Sequence, residues 1–340
     1  MEQETRIKEL NDTWSALDGI ESLDGWRTFP LDNFEQVGIY IGRKFPENYE
    51  AIIIGFHSSV VIKISSFPQG NGFKISIFEE MPDKQDKTWV SMCRQQGSSL
   101  EFFTAMAADI ISNLEGYSLL YPKGEGIFSR FISRVVAWQE FMKTKRVMKL
   151  STEEEIGLFG ELTLLRKLLD SCISKEKVIQ GWKGPLNSVK DFYYESVAIE
   201  VKSTISHRSF IATIDSLEQL ADVEGVATYL IGFKFSIDSE GETLNDLIWS
   251  IRKKVQGNVL QDIFDDLILK SGYLEQYSDQ YDRPFVEGGP SLIFEISNNF
   301  PRLTRQNVDP AITSVRYSLN LHGLQVVSIT LNELIQLVRV

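Results

Sequence analysis

The stretch DFYYESVAIEVK, residues 191–202, constrains the fold of this chain more strongly than any other segment. Aromatic and β-branched residues flank the polar pair Glu195–Ser196, a pattern that predicts two strands joined by a tight turn. Any even-length loop centred on this pair gives the same cross-strand partners: Tyr193 with Ala198, Phe192 with Ile199, and Asp191 with Glu200. The sequence therefore predicts a β-hairpin whose register is fixed around its turn.

The predicted hairpin brings two carboxylates face to face. Asp191 and Glu200 occupy opposite positions, and directly opposed like charges on neighbouring strands are unfavourable. Lys202 lies two residues beyond Glu200, so its side chain projects to the same face. The reverse face carries Phe192 and Ile199, and burial of that face holds the register. Because Mg²⁺ needs only one or two carboxylates and otherwise keeps water ligands, the pattern predicts a metal site with a lysine beside it.

The stretch GLFGELTLLRKLL, residues 157–169, predicts a helix that packs against this hairpin. Its apolar stripe recurs at intervals of four and three residues, through Leu158, Leu162, Leu165 and Leu169. Glu161 flanks the stripe, which makes it a candidate further carboxylate for the metal. Gly157 and Gly160 each cost about 0.8–1 kcal/mol relative to alanine in a helix interior. We expect both glycines to let the helix backbone approach the hairpin.

The length of 340 residues exceeds the usual size of one domain. Short β-like runs separated by turn formers fill residues 36–95, namely GIYIG, AIIIGF, VVIKI, FKISIF and TWVSM. Helical spacing follows at about residues 98–115 and 126–145. A capping box then marks the start of the glycine-bearing helix, either Ser151 with Glu154 or Thr152 with Glu155. We therefore predict two domains: residues 1–148, β-rich and helical and of unknown role, and residues 149–340, which contain the hairpin.

Several other classes of chemistry find no support in the sequence. The three histidines, His57, His207 and His322, lack metal-binding spacing, and two cysteines form neither a zinc cluster nor a disulfide framework. No GxxxxGK[ST] phosphate loop occurs, which argues against chemistry driven by nucleoside triphosphates. No segment approaches the ~18 apolar residues of a membrane helix, and the polar N-terminus lacks the regions of a signal peptide. We expect a cytoplasmic protein that does not cross a membrane.

The charge of the chain gives two opposing indications about nucleic acid. A formal net charge of −12 argues against broad, non-specific attraction to a polyanion. Between Lys123 and Lys149, however, the chain carries seven basic residues against two acidic ones, Glu125 and Glu140. This segment is either a groove that follows a phosphate backbone or a solvated helix face.

The carboxylates and the lysine together resemble the PD-(D/E)XK, or restriction-endonuclease-like, superfamily. In that pattern a helix carries Glu, followed by Asp and then E-x-K, and here the parts are Glu161 in GELTLL, Asp191 in VKDF, and Glu200 with Lys202 in AIEVKS. Lys190 stands where the pattern has proline. The wider text, including GWKGP, SLEQL and NNFPRLTR, resembles a bacterial group of PD-(D/E)XK motif proteins associated with restriction and phage-defence genes.

The resemblance implies a fold and a set of roles. The fold is α/β (α+β), with a restriction-endonuclease-like mixed central sheet flanked by helices, preceded here by the β-rich N-terminal domain. The cofactor is Mg²⁺, for which Mn²⁺ can substitute, and the implied ligands are Asp191, Glu200, Glu161 directly or through water, and the backbone carbonyl of Val201. Lys202 is the implied activating cation. Gln219 is expected on a helix that lines the site, or else as a surface residue. Arg302 and Arg305 are expected as phosphate contacts, although arginines also stabilise loops. Trp182 and Pro185 are expected to shape a loop.

These observations predict a Mg²⁺-dependent endodeoxyribonuclease that acts on DNA in restriction or phage defence. Self-association into a homodimer is expected, because cutting both strands needs two active sites, and defence-system partner proteins are a further expectation. The first alternative is a non-catalytic DNA-binding or scaffold subunit of a defence complex that retains the nuclease fold. The second is an ordinary α/β interaction module whose charges are incidental.

Overall fold

A computed structural model describes residues 2–18, 24–33, 37–57, 60, 62, 65, 67, 68, 70, 72–80, 86–121, 126–144, 149–257, 259–324 and 328–339. The chain folds into two compact units, Met1–Met148 and Lys149–Val340, called unit 1 and unit 2 below. Helices and strands are mixed in both units, so the predicted α+β class is confirmed. No helix in the described part of the chain is long and apolar enough to cross a membrane.

Unit 1 is built on one antiparallel sheet. Its elements are α1 (Glu2–Asp18), β1 (Gly25–Asn33), β2 (Val37–Phe45), β3 (Tyr49–His57), β4 (Phe73–Ile77), β5 (Lys87–Arg94), α2 (Leu100–Leu120) and α3 (Ile127–Thr144). The strand order is β1-β2-β3-β5-β4. Four of the predicted runs lie on or largely within β2 to β5, whereas most of VVIKI falls outside the described residues. The side chain of Phe56 packs its ring against Phe128 and Phe131 of α3, which shows which face of the sheet the helix covers.

Where the structure describes it, the basic segment between Lys123 and Lys149 does not form a row of exposed cations. Arg134 is 8% exposed and forms a bidentate pair with Asp109, with both nitrogen–oxygen distances at 2.7 Å. Arg130 is 4% exposed and donates to Asn113 Oδ1 at 2.7 Å. Lys143 is exposed and paired with Glu140, and Lys123, Lys145 and Arg146 lie outside the described residues. Two of the seven basic residues are therefore helix-packing groups and belong to neither predicted alternative.

Unit 2 is built on a mixed sheet, as predicted. Its elements are α4 (Thr152–Leu169), α5 (Lys175–Gly181), β6 (Phe192–Tyr193), β7 (Val197–Thr204), β8 (Ile211–Ile214), β9 (Ala227–Glu242), α6 (Leu244–Val255), α7 (Val259–Lys270), β10 (Phe285–Glu287), β11 (Leu292–Glu295), β12 (Tyr317–Asn320) and α8 (Leu331–Arg339). The main strand order is β10-β9-β7-β6, with β11 also paired to β9. Strands β7 and β9 run parallel, while the other pairs are antiparallel. Strands β8 and β12 form a separate two-stranded sheet.

Helix α4 packs on β7 at Gly160, which lies on the opposite side of the helix from the predicted apolar stripe, and the stripe is buried as well. Ser151 is its N-cap and forms the capping box with Glu154, the first of the two predicted alternatives. Gly160 is the point of close approach, because an added Cβ would lie 1.8 Å from Ser203 Oγ on β7. Gly157 has no neighbour within 4 Å of such a Cβ, so the expectation of close packing there was wrong. One glycine of the two thus sets the distance between helix and strand.

Candidate active site

The hairpin has the predicted register. Phe192 pairs with Ile199 and Tyr193 with Ala198 across β6 and β7, and Tyr194 N donates to Val197 O at 2.8 Å. Phe192 and Ile199 are fully buried in the core of unit 2. Burial of these side chains on one face fixes the register, since a slip of one residue would expose them. Asp191 and Glu200 follow at the next position along the two chains, on the opposite face.

Asp191 is fixed at both its backbone and its side chain. Its carbonyl accepts hydrogen bonds from Lys183 N at 2.7 Å and Gly184 N at 2.9 Å. Its Oδ2 accepts a hydrogen bond from Val201 N at 2.7 Å. The Asp191 side chain thus binds the N–H that a backbone carbonyl would bind if the β6–β7 pairing continued. The N–H and C=O of one residue in an antiparallel pair point to the same neighbour. The carbonyl of Val201 therefore faces the Asp191 side of the strand, the placement that its predicted role requires.

Glu161 reaches the same place from helix α4. Trp182, which is fully buried at the end of α5, donates its Nε1–H to Glu161 Oε2 at 2.8 Å. Gly184 begins a short 3-10 helix beside them, and a Cβ there would lie 2.4 Å from Glu161 Oε2 and 3.4 Å from Asp191 Oδ1. One point in space is thus close to both carboxylates. The missing side chain of Gly184 leaves room for their approach.

Glu200 and Lys202 complete the group on β7. Lys202 Nζ lies 2.9 Å from Glu200 Oε1, and the two side chains are 16% and 3% exposed. Tyr193 alternates onto the same face as Asp191, and burial together with the charge of Glu200 raises the pKa of its phenol. The alternation of the strand indicated this position for Tyr193, but no role followed from it.

The carboxylates hold more negative charge than their surroundings compensate. Burial, followed by the charge of Asp191, raises the pKa of Glu200 to about 8. Burial and the charges of Asp191 and Glu200 raise the pKa of Glu161 well above its usual range, against the Trp182 hydrogen bond. The pKa of Asp191 is also raised by burial, although the Val201 N–H and Lys202 oppose this. Burial acts to lower the pKa of Lys202, but the charge and hydrogen bond of Glu200 outweigh it and the pKa rises.

The donor set fits a hard divalent cation held by few protein ligands. Among the described residues, no group of three His, Cys, Asp or Glu side chains is arranged to hold a metal ion by itself. Mg²⁺ does not require such a group, because one or two carboxylates suffice when water fills the remaining positions. Asp191 and Glu200 supply two carboxylates, the Val201 carbonyl faces the same side, and Glu161 lies next to Asp191. A cation at this place would also stabilise the charged forms of carboxyl groups whose pKa values are raised.

Lys190 has a role that the sequence did not indicate. The side chain is fully buried, and its ammonium donates to the carbonyls of Glu218 at 3.3 Å, Ala221 at 3.2 Å and Gln219. Burial lowers its pKa to about 8, against the charges of Glu200 and Asp191. The residue in the place of the motif proline therefore ties the segment after β8 to the strand end that carries Asp191. In the sequence, the position of Lys190 directly before Asp191 was the feature that could have indicated this role.

The three residues that were predicted to contact substrate form hydrogen bonds that stabilise loops. They are Gln219, Arg302 and Arg305. Gln219 does not lie on a helix, which corrects that expectation; residues 216–220 form bends and a turn, and Gln219 Oε1 accepts from Asp215 N at 2.8 Å. Arg302 donates to Leu220 O at 2.6 Å and Asp222 Oδ2 at 2.8 Å. Arg305 binds Glu218 Oε1 and the carbonyls of residues 312 and 313. The Arg305 side chain is 54% exposed, and contact of either guanidinium with phosphate stays a prediction. Pro185, buried in the 3-10 helix, shapes its loop.

The mixed sheet with Asp191 on one strand end, Glu200 and Lys202 on the next strand, and Glu161 on the packed helix defines a protein of the PD-(D/E)XK class. A family model described as "Putative PD-(D/E)XK family member" (DUF4420) matches residues 10–322, and the chain belongs to this family. The match includes most of unit 1 as well as the candidate site. Searches of curated proteins and of solved structures gave no match.

Proposed function

We propose that the protein is a Mg²⁺-dependent endodeoxyribonuclease that hydrolyses phosphodiester bonds of DNA in restriction or phage defence. The observation that carries the proposal is the convergence of Asp191, Glu200 and Glu161 with Lys202 in one buried site whose negative charge is only partly compensated. Membership in a PD-(D/E)XK family supports it. We further propose a cytoplasmic location, where bacterial and phage DNA are accessible.

The residues of the site fall into those that would hold the metal ion and those that orient its ligands. Asp191, Glu200 and the Val201 carbonyl would hold Mg²⁺ or Mn²⁺, with Glu161 as a direct or water-mediated ligand. When bound, the ion acidifies a coordinated water and polarises a phosphoryl oxygen. The Val201 N–H holds the Asp191 carboxylate in one orientation, and the Trp182 indole does the same for Glu161. These second contacts fix the ligands before substrate arrives.

Lys202 would stabilise charge at the phosphate. Its ammonium donates one bond to Glu200 at 2.9 Å and has further donors. Those donors would orient the attacking water or neutralise charge that develops on the phosphate oxygens. Because the pKa of Lys202 is raised, the side chain stays protonated through the physiological range. Cleavage of both strands needs two such sites, so we propose a homodimer on DNA, with defence-system proteins as further partners.

Incubation of supercoiled and linear DNA with the protein and Mg²⁺ or Mn²⁺ tests the proposal. We expect nicking or cleavage that EDTA abolishes and that falls at least about a hundredfold in Asp191→Asn and Lys202→Met, the equivalent of about 2.7 kcal/mol of lost transition-state stabilisation. Glu195→Gln is the matched control, because this carboxylate lies in the exposed turn of the same hairpin. Undiminished cleavage in both site variants, or no cleavage by the wild type with either ion, would overturn the proposal.

A further inference from the structure

A second candidate site lies in unit 1, on the face of the sheet that α3 leaves uncovered. A cavity of 380 Å³ opens there over the strands β2, β3, β5 and β4. The register places six of its lining residues on this face, because Lys44 pairs with Tyr49, Lys74 with Cys93, and Ser76 with Ser91. The volume falls in the range of pockets that bind small organic ligands, about 300–1,000 Å³.

The floor of the cavity is made of small side chains and its walls of aromatic ones. Ser76, Ser91 and Cys93 lie on the floor. Burial raises the pKa of the Cys93 thiol to about 11, so the floor carries no charge at neutral pH. The rings of Trp26 and Phe78 stand in the wall, packed edge to face with centroids 5.0 Å apart. A cavity with small side chains at its base and rigid aromatic rings at its sides suits a flat aromatic ligand.

Trp26 is held in position by the backbone beneath it. Its Cε3 lies 3.6 Å from the place where a Cβ on Gly42 would be, so the indole rests on a bare stretch of β2. Tyr49, the cross-strand partner of Lys44, provides a further aromatic wall. Aromatic side chains that are fixed in advance bind nucleobases by stacking at little conformational cost.

The rim carries both signs of charge. Lys44, Lys74 and Arg94 line the cavity together with Glu47, Glu79 and Glu80. Lys44 lies 3.8 Å from Glu47, whereas the exposed Lys74 forms no ion pair with another described residue. Lysines bind phosphate as point charges, and carboxylates accept hydrogen bonds from exocyclic amino groups such as that of cytosine. The two kinds of group therefore match the two ends of an amino-bearing nucleotide.

We propose that this cavity binds the base of an unpaired nucleotide in a DNA strand, with Trp26, Tyr49 and Phe78 against the ring and Lys74 at its phosphate. The choice of DNA as the polymer rests on the proposed nuclease function. Proteins that read a single base take it out of the duplex stack into such a pocket. Unit 1 would thus supply a reading step, separate from the hydrolysis in unit 2.

Fluorescence anisotropy in EDTA, with a labelled five-nucleotide oligo-dC strand and the full chain, tests this assignment. We expect oligo-dC to bind at least about tenfold more tightly than an abasic strand of equal length, because stacking contributes more than about 1.4 kcal/mol. Trp26→Ala should remove that difference. Lys74→Glu should weaken both probes, and Lys143→Glu, a charge reversal at an exposed lysine of α3 on the other side of the sheet, should leave both unchanged.

The controls separate this proposal from the nuclease proposal. Circular dichroism verifies the folding of both Trp26→Ala and Lys74→Glu, of which the second alters an exposed residue. Asp191→Asn should retain the preference for oligo-dC even though it lacks cleavage. Equal affinity for the oligo-dC and abasic strands, or a preference that survives in Trp26→Ala, would overturn the base pocket, and undiminished binding of both strands by Lys74→Glu would overturn the phosphate contact. Such a result would not affect the nuclease proposal, which cleavage with Mg²⁺ decides. Conversely, a lack of cleavage would overturn the nuclease proposal, whereas the binding assay in EDTA would still decide the base pocket.

Discussion

Two buried glutamates, Glu50 in unit 1 and Glu200 in unit 2, differ in the charges that surround them. The Glu50 side chain is 5% exposed and bound by two arginines, Arg43 at 3.0 Å and Arg94 at 2.5 Å. The Glu200 side chain is 3% exposed and has Lys202 at 2.9 Å. Its other close charges include Asp191, which raises its pKa. The two carboxylates are similarly buried, but neighbouring cations compensate the negative charge of Glu50 more fully than that of Glu200.

The difference separates a structural ion cluster from a site prepared for a ligand. Arg43 also donates to the carbonyls of Trp14 and Asn48, so the Glu50 cluster joins helix α1 to the sheet with its hydrogen bonds satisfied. A buried charge that is fully paired within the protein has no need of an ion. Three carboxylates with only two lysines near them, Lys202 and Lys190, do have that need, and strongly raised pKa values at such positions mark functional sites. Three predictions test this distinction, and a fourth tests how α4 is positioned.

The largest difference should appear in stability without metal. Glu50→Gln removes the acidic partner of Arg94 and leaves the buried Arg43 with only a 3.5 Å contact to Asp18, which should lower the free energy of unfolding by about 3–5 kcal/mol. Glu200→Gln removes one of several crowded carboxylates and should lower it by less than about 1 kcal/mol. Urea unfolding in EDTA, followed by circular dichroism, measures both values. Equal losses in the two variants would remove the distinction between the sites.

The second prediction concerns pH, again in the metal-free protein. The pKa of Glu200 is about 8 in the folded protein and 4.5 for an unperturbed glutamate, so between these values the folded protein keeps a proton that the unfolded chain has released. This stabilising contribution is complete below pH 4.5 and is lost as the pH rises to about 8. Glu161 and Asp191 have raised pKa values and act in the same direction. Lys190, with a pKa lowered to about 8, opposes the trend only above that pH.

The thermal midpoint should therefore fall between about pH 5 and 8 in EDTA, by an amount equivalent to up to a few kcal/mol. Glu200→Gln should flatten this dependence, because the amide does not titrate. Glu195→Gln, in the exposed turn, should keep the wild-type slope. A midpoint that rises over the same range in the wild type would contradict the description of the site as one with uncompensated negative charge.

The third prediction is stabilisation by metal. A cation that binds only the folded protein adds about 2.7 kcal/mol at a hundred times its dissociation constant, which corresponds to a shift of several degrees in the thermal midpoint. We expect the shift with Mg²⁺ or Mn²⁺ in the wild type and in Glu50→Gln, but not in Asp191→Asn. Differential scanning calorimetry with and without each ion gives the answer. A midpoint unaffected by millimolar ion would favour a non-catalytic role for the fold.

The sequence predicted the parts of the site that local patterns determine. The register of β6 and β7 followed from alternation around Glu195–Ser196, and the place of Glu161 followed from its position beside the apolar stripe of α4. Of the two alternatives for Gln219, the helix was wrong: the segment forms bends and a turn, and its carbonyls bind the ammonium of Lys190 from about thirty residues away in the chain. No local period records such a contact.

The same reasoning explains the misjudged arginines and glycines. Arg134 is buried because Asp109 of α2 lies opposite it, and a charge count along α3 alone does not show this. The closeness of Gly184 to Glu161 likewise arises only when the α5 loop folds onto α4. Where a residue acts through a partner distant in sequence, one sequence indicates the residue type and leaves its role open.

The smallest effect distinguishes the two glycines of helix α4. Gly157→Ala adds a Cβ with no neighbour within 4 Å, so it should raise the free energy of unfolding by about 0.8–1 kcal/mol through helix propensity. Gly160→Ala places its Cβ 1.8 Å from Ser203 Oγ and 3.0 Å from Ser203 Cβ, and should lower the free energy by about 1–3 kcal/mol through overpacking. Urea unfolding of both variants at one pH provides the comparison.

The double variant Gly160→Ala with Ser203→Gly locates the cause of the second effect. Removing the serine side chain takes away the atoms that the new Cβ would meet, so the double variant should recover most of the stability that Gly160→Ala loses. DNA cleavage should follow the same order, with Gly157→Ala unchanged and Gly160→Ala reduced, because α4 carries Glu161 and its distance from β7 positions that carboxylate. If Gly160→Ala were as stable and as active as Gly157→Ala, close packing of α4 on β7 would not be what brings Glu161 to the other carboxylates.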